Sequence, residues 1–249
     1  MTELKLGANY LVKGIKIMHH RDIRRFAYLP ILINTLLFIV AIGFAIQQFS
    51  TMMDYFLAWL PDWLMSILSW IIWPLLTSII LLTTAMVFSI IANIIAAPFN
   101  DTLAEKVAAH IQGETISDIK WFTIFRQLPR TLLDELRKIK YFLFLMLTLF
   151  FLSFIPLINL FVPLLWVLLS AWMLAIQYHD HPMGNDHLLF SQQKALLRAK
   201  PLLMMGFGIT TLAMTLIPII NFLVIPIAVC GATCLYHEQL KILPQTPTT

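Results

Sequence analysis

FIPLINLFVP, residues 154–163, lies in the middle of 141–178, a 38-residue stretch that carries no charge. Two prolines and an asparagine interrupt what is otherwise one apolar helix. A near copy, LIPIINFLVIP, occupies 216–226 inside a second charge-free run, 201–236. Proline lacks a backbone donor and resists continuing a helix, so each run reads as two helical arms joined by a turn. The arms flanking PLINLFVP are about 15 residues each and those flanking PIINFLVIP roughly 17 and 10. Fifteen helical residues reach only ~22 Å against a hydrocarbon core of ~30 Å.

Both ends of both runs are polar and cationic, so each run enters and leaves on the same side. The simplest arrangement is a pair of helical hairpins that penetrate a bilayer part way. Two ordinary spanning hairpins with tight outer turns remain open on hydropathy alone. Unpaired backbone at a hairpin tip cannot face lipid. The tips are therefore expected to be covered by other helices or a second subunit, with Asn159 and Asn221 bonding freed backbone groups. The matching tips suggest an internal repeat, a device of transporters that line their pathways with broken helices.

The rest of the chain follows the same charge logic. Its 249 residues are 59% apolar and 12% charged, with mean hydropathy +0.82, whereas soluble domains carry about 25% charged residues. This is the composition of an integral membrane protein. No charge falls in 26–53 or 63–100 either, and all 17 Lys and Arg lie in 1–25, 101–140, 179–200 and 237–249. Cationic loops stay cytoplasmic. Both termini are therefore placed inside, and 50–62, with only Asp54 and Asp62, outside. The net charge of +4 reports this topology and does not call for nucleic acid.

One membrane domain over 1–249 results. Its parts are an amphipathic, basic N-terminus (1–25), two transmembrane helices (26–100), a cytoplasmic helical region (101–140), a first hairpin (141–178), a polar linker (179–200), a second hairpin (201–236) and a tail (237–249). Residues 1–25 are too polar for a cleavable signal. Leu4, Leu11, Ile15 and Met18 form an apolar stripe, with Lys5, Asn9, Lys13 and Lys16 on another, which predicts an amphipathic helix in the inner interface. Asp22 is a cap for a new helix beginning IRRFAYLP. The run 63–100 predicts a long helix that overshoots the bilayer, with Trp59, Trp63, Trp70 and Trp73 in an outer belt. Asn100 or Asp101 caps a separate helix, DTLAEKVAAHIQ. A further helix over about 117–140 carries the stripe Trp121, Phe125, Leu128, Leu132, Leu136 and Ile139, with Arg126, Arg130, Asp134 and Arg137 on a solvated face. Cys230 and Cys234 read as packing residues.

NIIAAPFNDTLAEKV (93–107) resembles the signature segment of the CysZ-type sulfate permeases. RRFAYLPILIN (24–34), YHDHPMGN (178–185) and the two IPxIN turns resemble that family in order and spacing over nearly the whole chain. The resemblance implies an all-α integral membrane protein with two long transmembrane helices and two hemi-penetrating hairpins. It also implies antiparallel dimers or higher homo-oligomers, and sulfate passage across the bacterial inner membrane to feed cysteine synthesis. In the family, sulfate binds near the start of the first membrane helix, at a Gly-Leu-Arg type motif. The matching residues here are Asp22, Ile23, Arg24 and Arg25, with Asp where the family has a small residue.

Sulfate is a dianion with four acceptor oxygens and no donor. A helix N-terminus offers free amides and partial positive charge, and arginine adds a planar fork of donors. Ile23, Arg24 and Arg25 are the sulfate-site candidates; both arginines also suit lipid phosphates. Arg126 and Arg130 can extend a basic track, and Glu105, Lys106 and His181 can form a polar gate. His179, Asp180, His181, Asp186 and His187 have a metal-like composition, but HDHP reads as a turn before Pro182, and no metal or other cofactor is expected. No Gly-rich phosphate loop, nucleophile elbow or HExxH occurs, so neither an enzyme nor an ATP-driven pump is indicated. The alternative is a membrane scaffold or regulator that binds partner proteins and moves no solute.

Overall fold

The computed structural model describes residues 2–58, 62–114 and 121–242. All regular structure among them is helical: α1 (Glu3–Met18), α2 (Arg24–Leu57), α3 (Asp62–Gln112), α4 (Trp121–Leu152), α5 (Pro156–Asn159), α6 (Val162–Asn185), α7 (Phe190–Ala199), α8 (Pro201–Thr215), α9 (Pro218–Leu235) and a closing π-helical turn, Tyr236–Leu240. The chain divides into two compact units, one of Met1–Ile31 with Ala97–Thr249 and one of Leu32–Ala96.

The first unit holds the main core. Tyr10, Leu11 and Met18 of α1, Leu103 and Val107 of α3, Ile176 and Met183 of α6, Met204 and Phe207 of α8 and Ala228 to Leu235 of α9 form one buried cluster. Glycines set its closeness. A Cβ on Gly7 would overlap the backbone of Leu203, and one on Gly206 the backbone of Leu4. Gly14 lies against Ile227 and Gly231, Gly231 against Tyr10, and Gly208 against Ala171. Small residues of this kind let apolar helices approach backbone to backbone. The buried face of α1 is thus Gly7, Tyr10, Leu11, Gly14 and Met18, packed on α8 and α9. Leu4 and Ile15 of the expected stripe are 42% and 38% exposed. Hydropathy favoured the two larger side chains, whereas close approach selected the glycines. Gly206→Val is expected to cost about 2–3 kcal/mol by overpacking. Gly43→Ala, with no atom within 4 Å of the new methyl, should be neutral or gain up to ~1 kcal/mol of helix propensity. Thermal unfolding in detergent checks both.

In the second unit, Leu36, Phe38, Ile39, Trp70, Ile71, Leu82 and Met86 are exposed. Apolar exposure along both helices is what lipid would cover. Of the expected tryptophan belt, Trp70 is 88% exposed; Trp59 and the side chains of Trp63 and Trp73 lie outside the described residues.

The breaks lie inside the charge-free runs, but their geometry differs from the expectation. In the first, α4 ends at Leu152, α5 is a single turn and α6 starts at Val162. In the second the turn is only Leu216 and Ile217, and PIINFLVIP forms the start of α9, with Pro226 inside the helix. Pro156, Pro163, Pro201 and Pro218 each stand in the first turn of a helix, where a missing N–H costs nothing and the fixed φ favours the helix. The prolines therefore open arms as well as end them, and the two tips are not structural copies. Tip amides are bonded locally: Ile158 and Asn159 donate to the Ile155 carbonyl at 3.0 and 2.9 Å, and Asn221 to that of Ile217 at 2.8 Å. The tip side chains are exposed, Leu157 by 83%, Leu160 by 80% and Leu216 by 77%.

Further boundaries move. α3 runs 51 residues without a stop at Asn100 or Asp101, about 76 Å at 1.5 Å per residue. α4 continues from the 121–140 region into the first arm. α6 runs through HDHP to Asn185 with Pro182 inside it, so that segment is helix rather than turn. Within α4, Leu136 and Ile139 are 55% and 51% exposed while Lys138 is buried; its ion pair, described below, rotates the helix away from the apolar stripe. Among the described residues, Val162–Asn185 and Ile220–Leu240 are long and apolar enough to cross a membrane, with mean hydropathies of 1.4 and 1.7. α8, at 15 residues, reaches only about 22 Å.

Candidate functional site

Two polar groupings stand out in the first unit. One is the turn HHRDIRR, 19–25, which links α1 to α2. Met18 and Ile23 are fully buried and pin both ends of it to the core. The His20 N–H donates to the Ile17 carbonyl at 2.9 Å, and the His20 carbonyl accepts from the amides of Ile23 and Arg24 at 3.0 and 2.9 Å. Two of the amides expected for an anion are therefore already bonded, and Ile23 acts as an anchor. Arg21, Arg24 and Arg25 are exposed. The Arg25 guanidinium lies 4.7 Å over the Phe26 ring. Among the described residues Arg21 and Arg24 make no ion pair, and Asp22 stands 3.5 Å from the His20 Nδ1. An anion here would meet guanidinium groups more than backbone.

The other grouping joins the last turns of α3 to the end of α6 and the π-helical turn. His181 Nδ1 meets Asp101 Oδ1 at 2.7 Å, and the Asn185 amide donates to the Asp101 carbonyl at 2.8 Å. One turn on, buried Lys106 donates to Glu105 at 2.7 Å. Glu105, Lys106, Gln112, Asn185, Asp186 and His237 line a cleft of about 260 Å³. Glu105 and Lys106 thus meet, while His181 is engaged by Asp101 beside the cleft. Arg126 and Arg130 lie on α4, and their side chains fall outside the described residues.

The metal-like cluster of the sequence disperses onto separate partners. The His179 Nδ1–H donates to the Ala175 carbonyl at 2.7 Å. Asp180 pairs with Lys138 at 2.8 Å. Asp186 accepts from the Tyr236 hydroxyl at 2.7 Å and pairs with Lys241 at 2.7 Å. His187 turns the chain with φ 61°. Cys230 and Cys234 are free and buried. Sequence reading missed Lys138 and Tyr236; a cation just before the charge-free run 141–178 and an acid, Asp180, just after it were the available signal for the first.

Burial pushes the Asp186 carboxyl up, but the hydrogen bonds from Lys241 and Tyr236 and the charge of Lys241 outweigh it and hold it below its ordinary value. A depressed folded value stabilises the fold above the unfolded carboxyl pKa of about 3.9 and is lost as pH falls below it. Because the Asp186 and Lys241 side chains are 34% and 40% exposed, the effect is well under ~1 kcal/mol. Melting curves from pH 6 to 3 should therefore show a small acid loss in wild type that Asp186→Asn removes.

A chain that is all-helical among the described residues, with four charge-free runs and all its Lys and Arg outside them, is an integral membrane protein. The model of the family described as "Sulfate transporter CysZ/Etoposide-induced protein 2.4" matches residues 10–226, and this chain belongs to that family. A relative named sulfate transporter CysZ from Pseudomonas aeruginosa (strain LESB58) is 41% identical over 94% of this chain and 95% of its own length. Those so named from Pseudomonas syringae pv. tomato and Vibrio parahaemolyticus are 42% and 39% identical, over 94% and 96% of this chain and 92% and 97% of their own.

Proposed function

We propose that the chain is a bacterial inner-membrane permease through which sulfate enters for assimilation into cysteine. The observation that carries this reading is end-to-end similarity to relatives named as sulfate transporters. In this reading α2 and α3 cross the bilayer, and the paired arms α4–α6 and α8–α9 form hairpins that enter part way, for which the short reach of α8 argues. α1 lies at the inner face. The exposed leucines of both tips are covered by lipid or by another copy in a homo-oligomer, an antiparallel dimer or larger.

Sulfate is held by Arg24 and Arg25, whose guanidinium forks match its oxygens, with Ile23 fixing the turn that presents them. Glu105, Lys106, Arg126, Arg130 and His181 belong to the pathway beyond, where binding must stay loose enough to release the ion. Uptake of labelled sulfate into liposomes holding only this protein tests the reading. Saturable uptake above empty vesicles is expected; uptake equal to empty vesicles would overturn it and leave the scaffold.

A further inference from the structure

We propose that His20, Asp22 and His110 form a binding site for a divalent transition-metal ion, with Zn²⁺ the ion their chemistry fits best. Each residue offers one ligand atom, and the three atoms lie within 4.8 Å of one another. The His20 Nδ1 and an Asp22 Oδ2 are 3.5 Å apart, long for a hydrogen bond. Two ligands held 2.0–2.1 Å from a tetrahedral zinc stand about 3.3–3.4 Å apart, so this pair already has the spacing of ligands sharing one ion. The His20 and His110 rings lie 4.3 Å apart between centroids, tilted by 47°. Small side-chain rotations bring the third donor to the same point.

The core builds this convergence. Leu103 and Val107 of α3 are fully buried, and His110 follows on the same stripe of the helix, three residues beyond Val107. It emerges where the turn 19–23 crosses, and that turn is fixed by buried Met18 and Ile23 and by the three backbone hydrogen bonds to His20. The ligand backbones are therefore held before any ion arrives. His19 does not belong to this converging group; its Nδ1 lies 2.8 Å from the Ile15 carbonyl of its own helix. Two imidazoles and one carboxylate form a borderline N₂O set suited to Zn²⁺ and its neighbours and poor for Mg²⁺ or Ca²⁺. With three protein ligands and two of the residues exposed, a fourth position stays open to water. The proposal is independent of the transport reading.

Calorimetry of the full-length chain in detergent, purified without a histidine tag and stripped with chelator, tests it with Zn²⁺ alone. One saturable equivalent is expected. His20→Ala and His110→Ala should each weaken it by at least about tenfold, since loss of even an outer partner of a metal site costs that much. Asp22→Asn should weaken it as well, and His19→Ala should leave it unchanged. Zinc-edge X-ray absorption of the wild-type complex, which depends on no variant, should count two imidazoles. Absence of saturable Zn²⁺ binding by wild type, a first shell without imidazole, or a His20→Ala/His110→Ala double variant that binds as tightly as wild type would each overturn the proposal.

Discussion

Lys138→Met should destabilise the protein by about 3–5 kcal/mol, the cost of leaving one member of a buried ion pair without its partner. Lys138 donates to Asp180 at 2.8 Å, and the two side chains are 6% and 17% exposed. The pair ties α4 to α6, the two arms of the first hairpin. With the ammonium gone, the carboxylate must protonate, draw in water or pull the arms apart, and each route costs free energy that the marginal stability of a small protein barely covers. A Lys138→Met/Asp180→Leu double variant removes both charges and should recover most of the loss, because a well-packed apolar replacement of a buried pair is often neutral. The cycle of single and double variants, read by thermal unfolding in detergent, isolates the coupling. A single variant that costs less than about 1 kcal/mol would mean that the pair is solvent-screened.

That pair marks the limit of what pattern reading reaches. Helix placement was legible because charge-free runs and cationic ends are properties of contiguous sequence. The existence of two breaks was legible for the same reason, through Pro156 and Pro163 and through Pro218. Their shape was not, because a proline at the first turn of a helix and a proline that ends one look alike in sequence; only the fold shows that Pro226 sits inside α9. The buried face of α1 escaped because glycine carries no hydropathy signal, although Gly7 and Gly14 admit α8 and α9 most closely. Lys138 escaped because its burial depends on Asp180 in a different helix. His20 and His110 escaped for the same reason: an α1–α2 turn and the end of α3 meet only through the core they share. The Ile23 amide, expected to face the anion, instead bonds the His20 carbonyl, and its buried side chain is what the turn uses.

Arg24→Ala should weaken saturable sulfate uptake by about 10–100-fold in KM, since a charge-assisted hydrogen bond is worth roughly 1.5–3 kcal/mol. Arg24 is the sharper probe of the two arginines. Arg25 leans on the Phe26 ring at 4.7 Å, so its removal also disturbs packing, whereas Arg24 is exposed and makes no ion pair among the described residues. Arg24→Lys keeps the charge but loses the fork, and should fall between wild type and alanine. Because the groups are exposed, wild-type affinity should drop as inert salt rises through a Debye length of ~10 Å at 0.1 M, and the alanine variant should lose part of that dependence. Ile23→Ala provides the contrast. Its side chain is fully buried, so it should cost about 2–5 kcal/mol of stability and lower the amount of folded protein, with KM per folded molecule nearer to wild type than that of Arg24→Ala. An Arg24→Ala/Arg25→Ala double variant that folds and transports with the wild-type KM would show that the anion is selected elsewhere along the chain.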